Sequence, residues 1–247
     1  MRVLLDECVP RQLRRDLAAR LSRRPLDGAP LSMIRAVAFD LDHTLLDPES
    51  LAPELFEPIL LAVRRANTGP DAIPSELLEG AFVAARRQAF SIVADAYRLP
   101  ASIQTAWREA NRTFELNSAL TPYPDVLPAL HELRILRFLV TTGFRRTQLS
   151  KVRALGIEDL FDAIYIDGLD EGMGSGKRPL LTRILVEYRL RSSELLVVGD
   201  SAESEIAAGN ALGAVTVQVL RPHVLHSAEA RFHVRALSEI PALITQL

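Results

Sequence analysis

Short apolar runs recur along this chain and stop on polar residues. Ala36-Val37-Ala38-Phe39 runs into Asp40, and Phe138-Leu139-Val140 runs into Thr141. Ala163-Ile164-Tyr165-Ile166 runs into Asp167, Leu195-Leu196-Val197-Val198 into Gly199-Asp200, and a valine-rich run covers Ala214 to Leu220. Near-continuous apolar runs of this length suit strands buried on both faces. Helix-like stretches lie between them. Val126, Leu130 and Leu133 give Asp125 to Leu136 a helical spacing, and Thr147 to Leu155 and Leu180 to Leu190 read similarly. Glu203 to Leu212 is alanine-rich and stops before Gly213, a helix-end signal. Strand–helix alternation predicts a parallel sheet with right-handed crossovers, in which ligands bind at the carboxyl ends of the strands. Asp40, Thr141 and Asp200 are expected there.

The alternation breaks between Pro48 and Leu120. Leu55, Ile59 and Val63 recur four apart; Leu77, Leu78, Ala81, Phe82 and Ala85 give a second apolar face; Ile103, Trp107, Ala110 and Phe114 give a third. Thr68-Gly69-Pro70-Asp71 and Leu99-Pro100 punctuate them. Three or four helices are expected here, rejoining the sheet at Thr121-Pro122-Tyr123-Pro124. The division read from the sequence is an N-terminal extension over 1–32, a core over 33–47 and 121–247, and a helical cap over 48–120. The extension offers a strand from Arg2 to Leu5 and a helix from Arg11 to Leu21. Leu4-Leu5-Asp6-Glu7 with Pro10 and Leu13 faintly resembles the opening of PIN-like nuclease domains, without the later acidic positions such a nuclease needs.

Composition narrows the classes. With 247 residues, 48% of them apolar, the chain can bury a substantial core. Its 29 basic and 31 acidic residues leave a net charge of −2, which points to neither nucleic acid nor an anionic membrane as partner. A single cysteine, Cys8, makes an internal disulfide impossible. No apolar stretch is long enough to span a bilayer, and arginines interrupt the N-terminus, so a cytoplasmic location is expected.

Four segments carry candidate chemistry. Asp40 and Asp42, two apart after a strand, can face one ligand, and their mutual repulsion calls for a cation. Alone, the pair is equally a turn aspartate and a helix cap. Thr141 and Thr142 precede Gly143, where a hydroxyl and turn amides can meet phosphate oxygens. Lys177 lies in Gly172-Met173-Gly174-Ser175-Gly176-Lys177-Arg178-Pro179. A Walker-type loop fails there, because Glu171 and Arg178 stand where glycine and serine or threonine are needed; a dinucleotide fingerprint fails as well. Asp200 ends the strongest strand and Glu205 follows about one turn later. Hard oxygen ligands from separate strand ends suit magnesium.

Taken in order, these segments resemble the four motifs of the haloacid dehalogenase-like superfamily, over about Met33 to Pro222. Asp40 and Asp42 match the first motif, Thr141 the second, Lys177 the third, and Asp200 with Glu205 the fourth. The resemblance implies a Rossmann-like parallel-sheet core flanked by helices, with an inserted α-helical cap. It implies magnesium-dependent hydrolysis of a small phosphorylated metabolite, with Asp40 as nucleophile and Asp42 as acid and base. Asp40, Asp200 and the backbone carbonyl of Asp42 would hold Mg2+, Thr141, Thr142 and Lys177 would bind the phosphate, and Glu205 would support them. Two positions depart from the usual pattern: Glu205 stands where aspartate is common, and His43 where glycine or aspartate is. Asp42 argues against a dehalogenase. A phosphomutase shares every motif, and a non-catalytic module that kept the fold is the reading from a different class.

Overall fold

The structure is a computed structural model that describes residues 34–85, 90–170 and 174–247. The readings placed on residues 1–32, with Cys8, and on Glu171 to Met173 lie outside the described residues.

Six strands form one sheet: β1 (Ala36–Phe39), β2 (Leu136–Gly143), β3 (Ala163–Gly168), β4 (Leu195–Gly199), β5 (Val215–Val219) and β6 (Phe232–Val234). Their order is β3-β2-β1-β4-β5-β6, and every pairing is parallel. The chain builds outward from β1 to β3, returns to lay β4 on the other side of β1, and builds outward again. That reversal leaves a crevice at the carboxyl ends of β1 and β4, where ligands bind in open α/β sheets.

Alternation along the strands divides the core into two layers. Val37, Phe39, Leu139, Leu196, Val198 and Val217 face one side. They pack on α5 (Val126–Glu132), α6 (Arg145–Ala154) and α9 (Ile240–Gln246). Ala36, Ala38, Phe138, Val140, Leu195 and Val197 face the other, against α7 (Lys177–Glu187) and α8 (Ala207–Leu212). Each large side chain fully buried this way contributes about 1.5–3 kcal/mol. This two-sided burial is why β1 to β5 read as apolar runs.

Between β1 and α5 the chain forms α1 (Glu57–Ala66), α2 (Ser75–Ala85), α3 (Phe90–Ala96) and α4 (Ala101–Thr113). Ile59, Val63, Leu78, Phe82, Val93, Ile103 and Trp107 give these helices a hydrophobic cluster of their own. Leu55, Phe56 and Leu120 pack on both this cluster and the sheet layer, so they form the joint. An α-helical cap is thus inserted into a Rossmann-like core. No helix among the described residues is long and apolar enough to cross a membrane.

Several boundaries differ from the sequence reading. The helix expected to reach Leu136 ends at Glu132, because Leu136 pairs with Ala36 as the first residue of β2. β2 does not stop at Thr141; it continues through Gly143, since Thr142 pairs with Asp167 and Gly143 with Gly168. The stretch from Glu203 is split: Ala202–Ile206 is a π-turn and α8 follows.

Candidate active site

Asp40 is the first residue past β1, and its amide donates to the Val198 carbonyl of β4 at 3.0 Å. The next residues fold back on themselves. The Leu41 carbonyl accepts from the amides of Thr44, Leu45 and Leu46 at 3.3, 2.8 and 3.0 Å. The His43 amide reaches the Leu46 carbonyl at 2.7 Å, and His43 adopts φ 57°. A left-handed residue is where glycine or aspartate is easiest to place. His43 fills that left-handed position here.

The turn is clamped from behind by residues that no sequence motif marked. Buried Arg221 donates to the Thr44 carbonyl through Nη2 at 2.8 Å and Nε at 3.2 Å. Its Nη1 pairs with Asp125 Oδ2 at 2.9 Å, and its guanidinium lies 3.9 Å from the centroid of the Tyr123 ring. The Asp125 carboxylate also accepts from the Leu237 amide at 2.6 Å. Thr44 Oγ1 in turn lies 3.4 Å from Asp200 Oδ1.

Lys177 opens α7, with Gly176 at φ 80° before it. Asp167 at the end of β3 holds the approach, accepting from the amides of Ser175 at 2.8 Å and Gly176 at 2.9 Å. The Lys177 ammonium sits 2.6 Å from Asp40 Oδ1 and 2.7 Å from Glu205 Oε2, and all three side chains are at most a tenth exposed. Glu205 Oε1 accepts from the Ser201 amide at 2.6 Å. Its side chain lies directly over Gly199, where a β-carbon would fall 2.3 Å from Glu205 Cγ. Gly199 therefore makes room for a glutamate where the family commonly has the shorter aspartate. The π-turn sets the position from which Glu205 reaches back; such single turns are frequent at functional sites.

Burial pushes the Asp40 carboxyl up, Lys177 pulls it down, and Glu205 and Asp200 push it further up, so it stands well above the ordinary carboxylate range. Asp200 is raised to about 6 by burial and by Glu205, against His43 and Lys177. Burial works against the Lys177 ammonium, but Asp40 and Glu205 outweigh it and hold its pKa above the usual lysine value.

Asp42 faces a different set of groups. Lys151 Nζ contacts both its carboxylate oxygens at 2.9 Å, and Gln148 Nε2 donates to Oδ2 at 3.1 Å. Burial raises the Asp42 pKa, yet the Lys151 ammonium and the Gln148 amide outweigh it, so it lies below the ordinary value. Gln148 Nε2 also approaches Thr141 Oγ1 at 2.7 Å and the Thr142 carbonyl at 3.2 Å, tying the first and second motifs together. Thr141 is buried and Thr142 exposed. Gln148 and Lys151 are three apart on α6 and share one face. Thr147, Gln148 and Ser150 are buried on this helix, and no local pattern in the sequence marked them.

Asp40, Asp200 and Glu205 offer carboxylate oxygens within 4.8 Å of one another, a hard, all-oxygen donor set that fits Mg2+. The expected metal set was Asp40, Asp200 and the Asp42 backbone carbonyl, with Glu205 in support; the Asp42 carboxylate itself is engaged by Lys151. Two ammonium groups face these acids, Lys177 at Asp40 and Glu205 and Lys151 at Asp42. Four carboxylates against two ammonium groups leave an excess that one divalent cation balances.

A doubly wound sheet with paired acids at its switch point, a buried lysine and a second acidic strand end defines a hydrolase-type site on a Rossmann-like core. Residues 34–213 match the family of haloacid dehalogenase-like hydrolases, and the chain belongs to that family. It is 28% identical over 204 residues to a glyceraldehyde 3-phosphate phosphatase of Methanopyrus kandleri, covering 76% of this chain and 85% of that protein. It is 33% identical over 97 residues to a ribulose-1,5-bisphosphate 5-phosphatase of Halopiger xanaduensis, covering 38% of this chain and 40% of the relative. Among solved structures, a HAD phosphatase from Thermococcus onnurineus superposes with a TM-score of 0.58 at 22% identity, covering 85% of this chain and 97% of the other. That likeness speaks for the fold.

Proposed function

We propose that the protein hydrolyses a small phosphate monoester, with Mg2+ and through an aspartyl-phosphate on Asp40. The observation that carries this reading is the buried Asp40 carboxylate at the sheet's switch point, 2.6 Å from Lys177 and grouped with Asp200 and Glu205. The phosphatases among its relatives support the phosphate-ester hydrolysis in this reading. In this reading residues 48–120 are the cap, and 33–47 with 121–247 the catalytic core.

Asp40 attacks phosphorus, forming the acyl-phosphate bond as the ester P–O bond breaks. The departing oxygen takes a proton from Asp42, which then removes one from the water that cleaves the acyl phosphate. Because Lys151 favours the ionised form of Asp42, the first transfer requires that contact to loosen when substrate enters. Lys177 and Thr141 hold the phosphoryl oxygens, with Thr142 beside them, and stabilise the charge that builds on them. Glu205 fixes Lys177, and Gln148 fixes Thr141 against Asp42. Asp40 and Asp200, with Glu205 adjacent, would hold Mg2+, which supplies Lewis-acid polarisation and neutralises the acids facing a phosphate dianion. In this reading the substrate is a small phosphorylated metabolite, met in the cytoplasm.

The test is phosphate release from p-nitrophenyl phosphate and a panel of small esters. Release is expected with Mg2+, and none with chelator or in Asp40→Asn. No release from any ester in the presence of Mg2+ would overturn the reading, and transfer to a sugar phosphate instead of water would identify a mutase.

A further inference from the structure

The carboxyl end of β5 and the residues just past it reach back to both acidic strand ends of the site. Gln218, buried within β5, pairs in register with Gly199 of β4. Its Nε2 donates to the Asp200 carbonyl at 2.9 Å and to the Leu225 carbonyl at 2.9 Å, and its Oε1 accepts from the Ser227 amide at 2.9 Å. Both amide protons are spent on backbone, and the peptide that follows Asp200 is tied to β5. Further along the same segment, Arg221 does the same for the first-motif turn, through its fork on the Thr44 carbonyl. The two anchored segments also meet, Thr44 Oγ1 against Asp200 Oδ1 at 3.4 Å.

Stability alone does not call for a guanidinium here. A carbonyl needs one neutral donor, whereas a buried cation must be desolvated and given a counter-ion. Asp125 is that counter-ion, at 2.9 Å, and it is itself fixed by the Leu237 amide at 2.6 Å. Tyr123 covers the guanidinium face, with its ring centroid 3.9 Å away, and the Tyr123 amide donates to the Leu45 carbonyl of the same turn at 3.0 Å. What the arrangement supplies is direction: a planar fork whose partners are each fixed cannot swing. Neither Gln218 nor Arg221 ends on a group that reacts, so both act through the segments they hold.

Those segments carry Asp40 and the Asp42 carbonyl on one side and Asp200 on the other. The carboxylates of Asp40 and Asp200, with Glu205, offer oxygens within 4.8 Å of one another. Mg2+ demands a near-octahedral set at about 2.0–2.1 Å, while Ca2+ accepts looser sets at about 2.3–2.6 Å. The spacing of the two segments therefore decides how well the smaller ion is held. We propose that Gln218 and Arg221 are positioning residues, which together fix the spacing between the first-motif turn and Asp200 that a small divalent cation requires. This rests on the metal-dependent reading above.

The test is calorimetric titration of the full chain, free of metal, with Mg2+ alone and with Ca2+ alone. Arg221→Met should weaken Mg2+ binding by about tenfold or more, the usual loss when a residue supporting metal ligands is removed. Ca2+ binding should weaken less, so the ratio of the two affinities falls severalfold. Gln218→Leu should lower that ratio too. Arg221→Lys should fall between wild type and Arg221→Met, since an ammonium cannot make the fork and hold Asp125 as well. Arg221→Met also strands the Asp125 charge. Adding Asp125→Asn removes that charge and should restore much of the melting temperature of the metal-free protein, yet leave the lowered ratio where it is. A ratio unchanged in the folded variants, or one that recovers with the melting temperature, would overturn the proposal. If the wild-type chain binds neither ion, the metal reading beneath it falls and takes the proposal with it.

Discussion

Gly199→Ala tests the packing that holds Glu205 in the site. Replacing a strand glycine by alanine normally stabilises by about 0.4–1 kcal/mol, because the unfolded chain loses freedom. Here the added methyl would fall 2.3 Å from both Glu205 Cγ and Oε1 and 2.5 Å from Cδ. Glu205 cannot yield freely. It is 2% exposed, and its carboxylate is fixed by Lys177 at 2.7 Å and the Ser201 amide at 2.6 Å. Displacing it loosens two charge-assisted hydrogen bonds, each contributing about 1.5–3 kcal/mol. Overpacking adds about 1–3 kcal/mol. Allowing for partial relaxation, the net loss is about 3 kcal/mol, or roughly a 6–12 °C fall in Tm for a chain of this size. Glu205→Asp shortens the side chain and clears the space. In urea unfolding, Gly199→Ala with Glu205→Asp should therefore lose less than the two single changes combined, with a coupling of about 1–2 kcal/mol. A Gly199→Ala protein within about 0.5 kcal/mol of wild type, or strictly additive effects, would refute the reasoning.

Other substitutions and conditions probe the neighbouring contacts. Lys151→Met should cost about 1–2 kcal/mol at pH 7, since it strips a part-buried carboxylate of its partner. Because the Asp42 pKa is depressed, that contribution is present above its ordinary value of 3.8 and fades as pH falls through the folded value. The wild-type and variant urea midpoints should accordingly converge on acidification; a constant gap would show that Lys151 acts by packing alone. His43→Val should lose about 1–2 kcal/mol, while His43→Gly and His43→Asn are tolerated, because φ 57° excludes a β-branched residue. Equal melting temperatures for the three would contradict this. Mg2+ affinity, measured by calorimetry, should weaken as pH falls through about 6, where Asp200 takes up a proton that competes with the ion. A pH-independent affinity would remove Asp200 from the metal site.

The parts of this fold that were legible in the sequence are those where one local pattern decides. β1 to β5 are buried on both faces and so read as apolar runs, and the motif acids stand where those runs stop. β6 was not legible: Phe232-His233-Val234 is short, polar at its centre and pairs only with β5. α3 and α9 were likewise unmarked, seven residues each and too short for periodicity to declare. Within the site, Asp40, Lys177, Asp200 and Glu205 were found because spacing and order identify them, and the structure brings their side chains together. Gln148, Lys151 and Arg221 were missed for a common reason. Each reaches its partner across a long stretch of chain, 106 residues from Asp42 to Gln148 and 177 from Thr44 to Arg221, so no local pattern announces the contact. The direction in which α6 turns its polar face is set by packing against β2 and β3, which only the fold supplies.

The claim on which the account turns is that Asp40 carries the phosphoryl group. The direct measurement is acid-quenched mass spectrometry of the enzyme taken during turnover of p-nitrophenyl phosphate with Mg2+. The account predicts a phosphoryl adduct on the peptide that contains Asp40, removed by hydroxylamine as an acyl phosphate should be, and absent from Asp40→Asn. Steady phosphate release with no adduct on that peptide, or with undiminished turnover in Asp40→Asn, would contradict it.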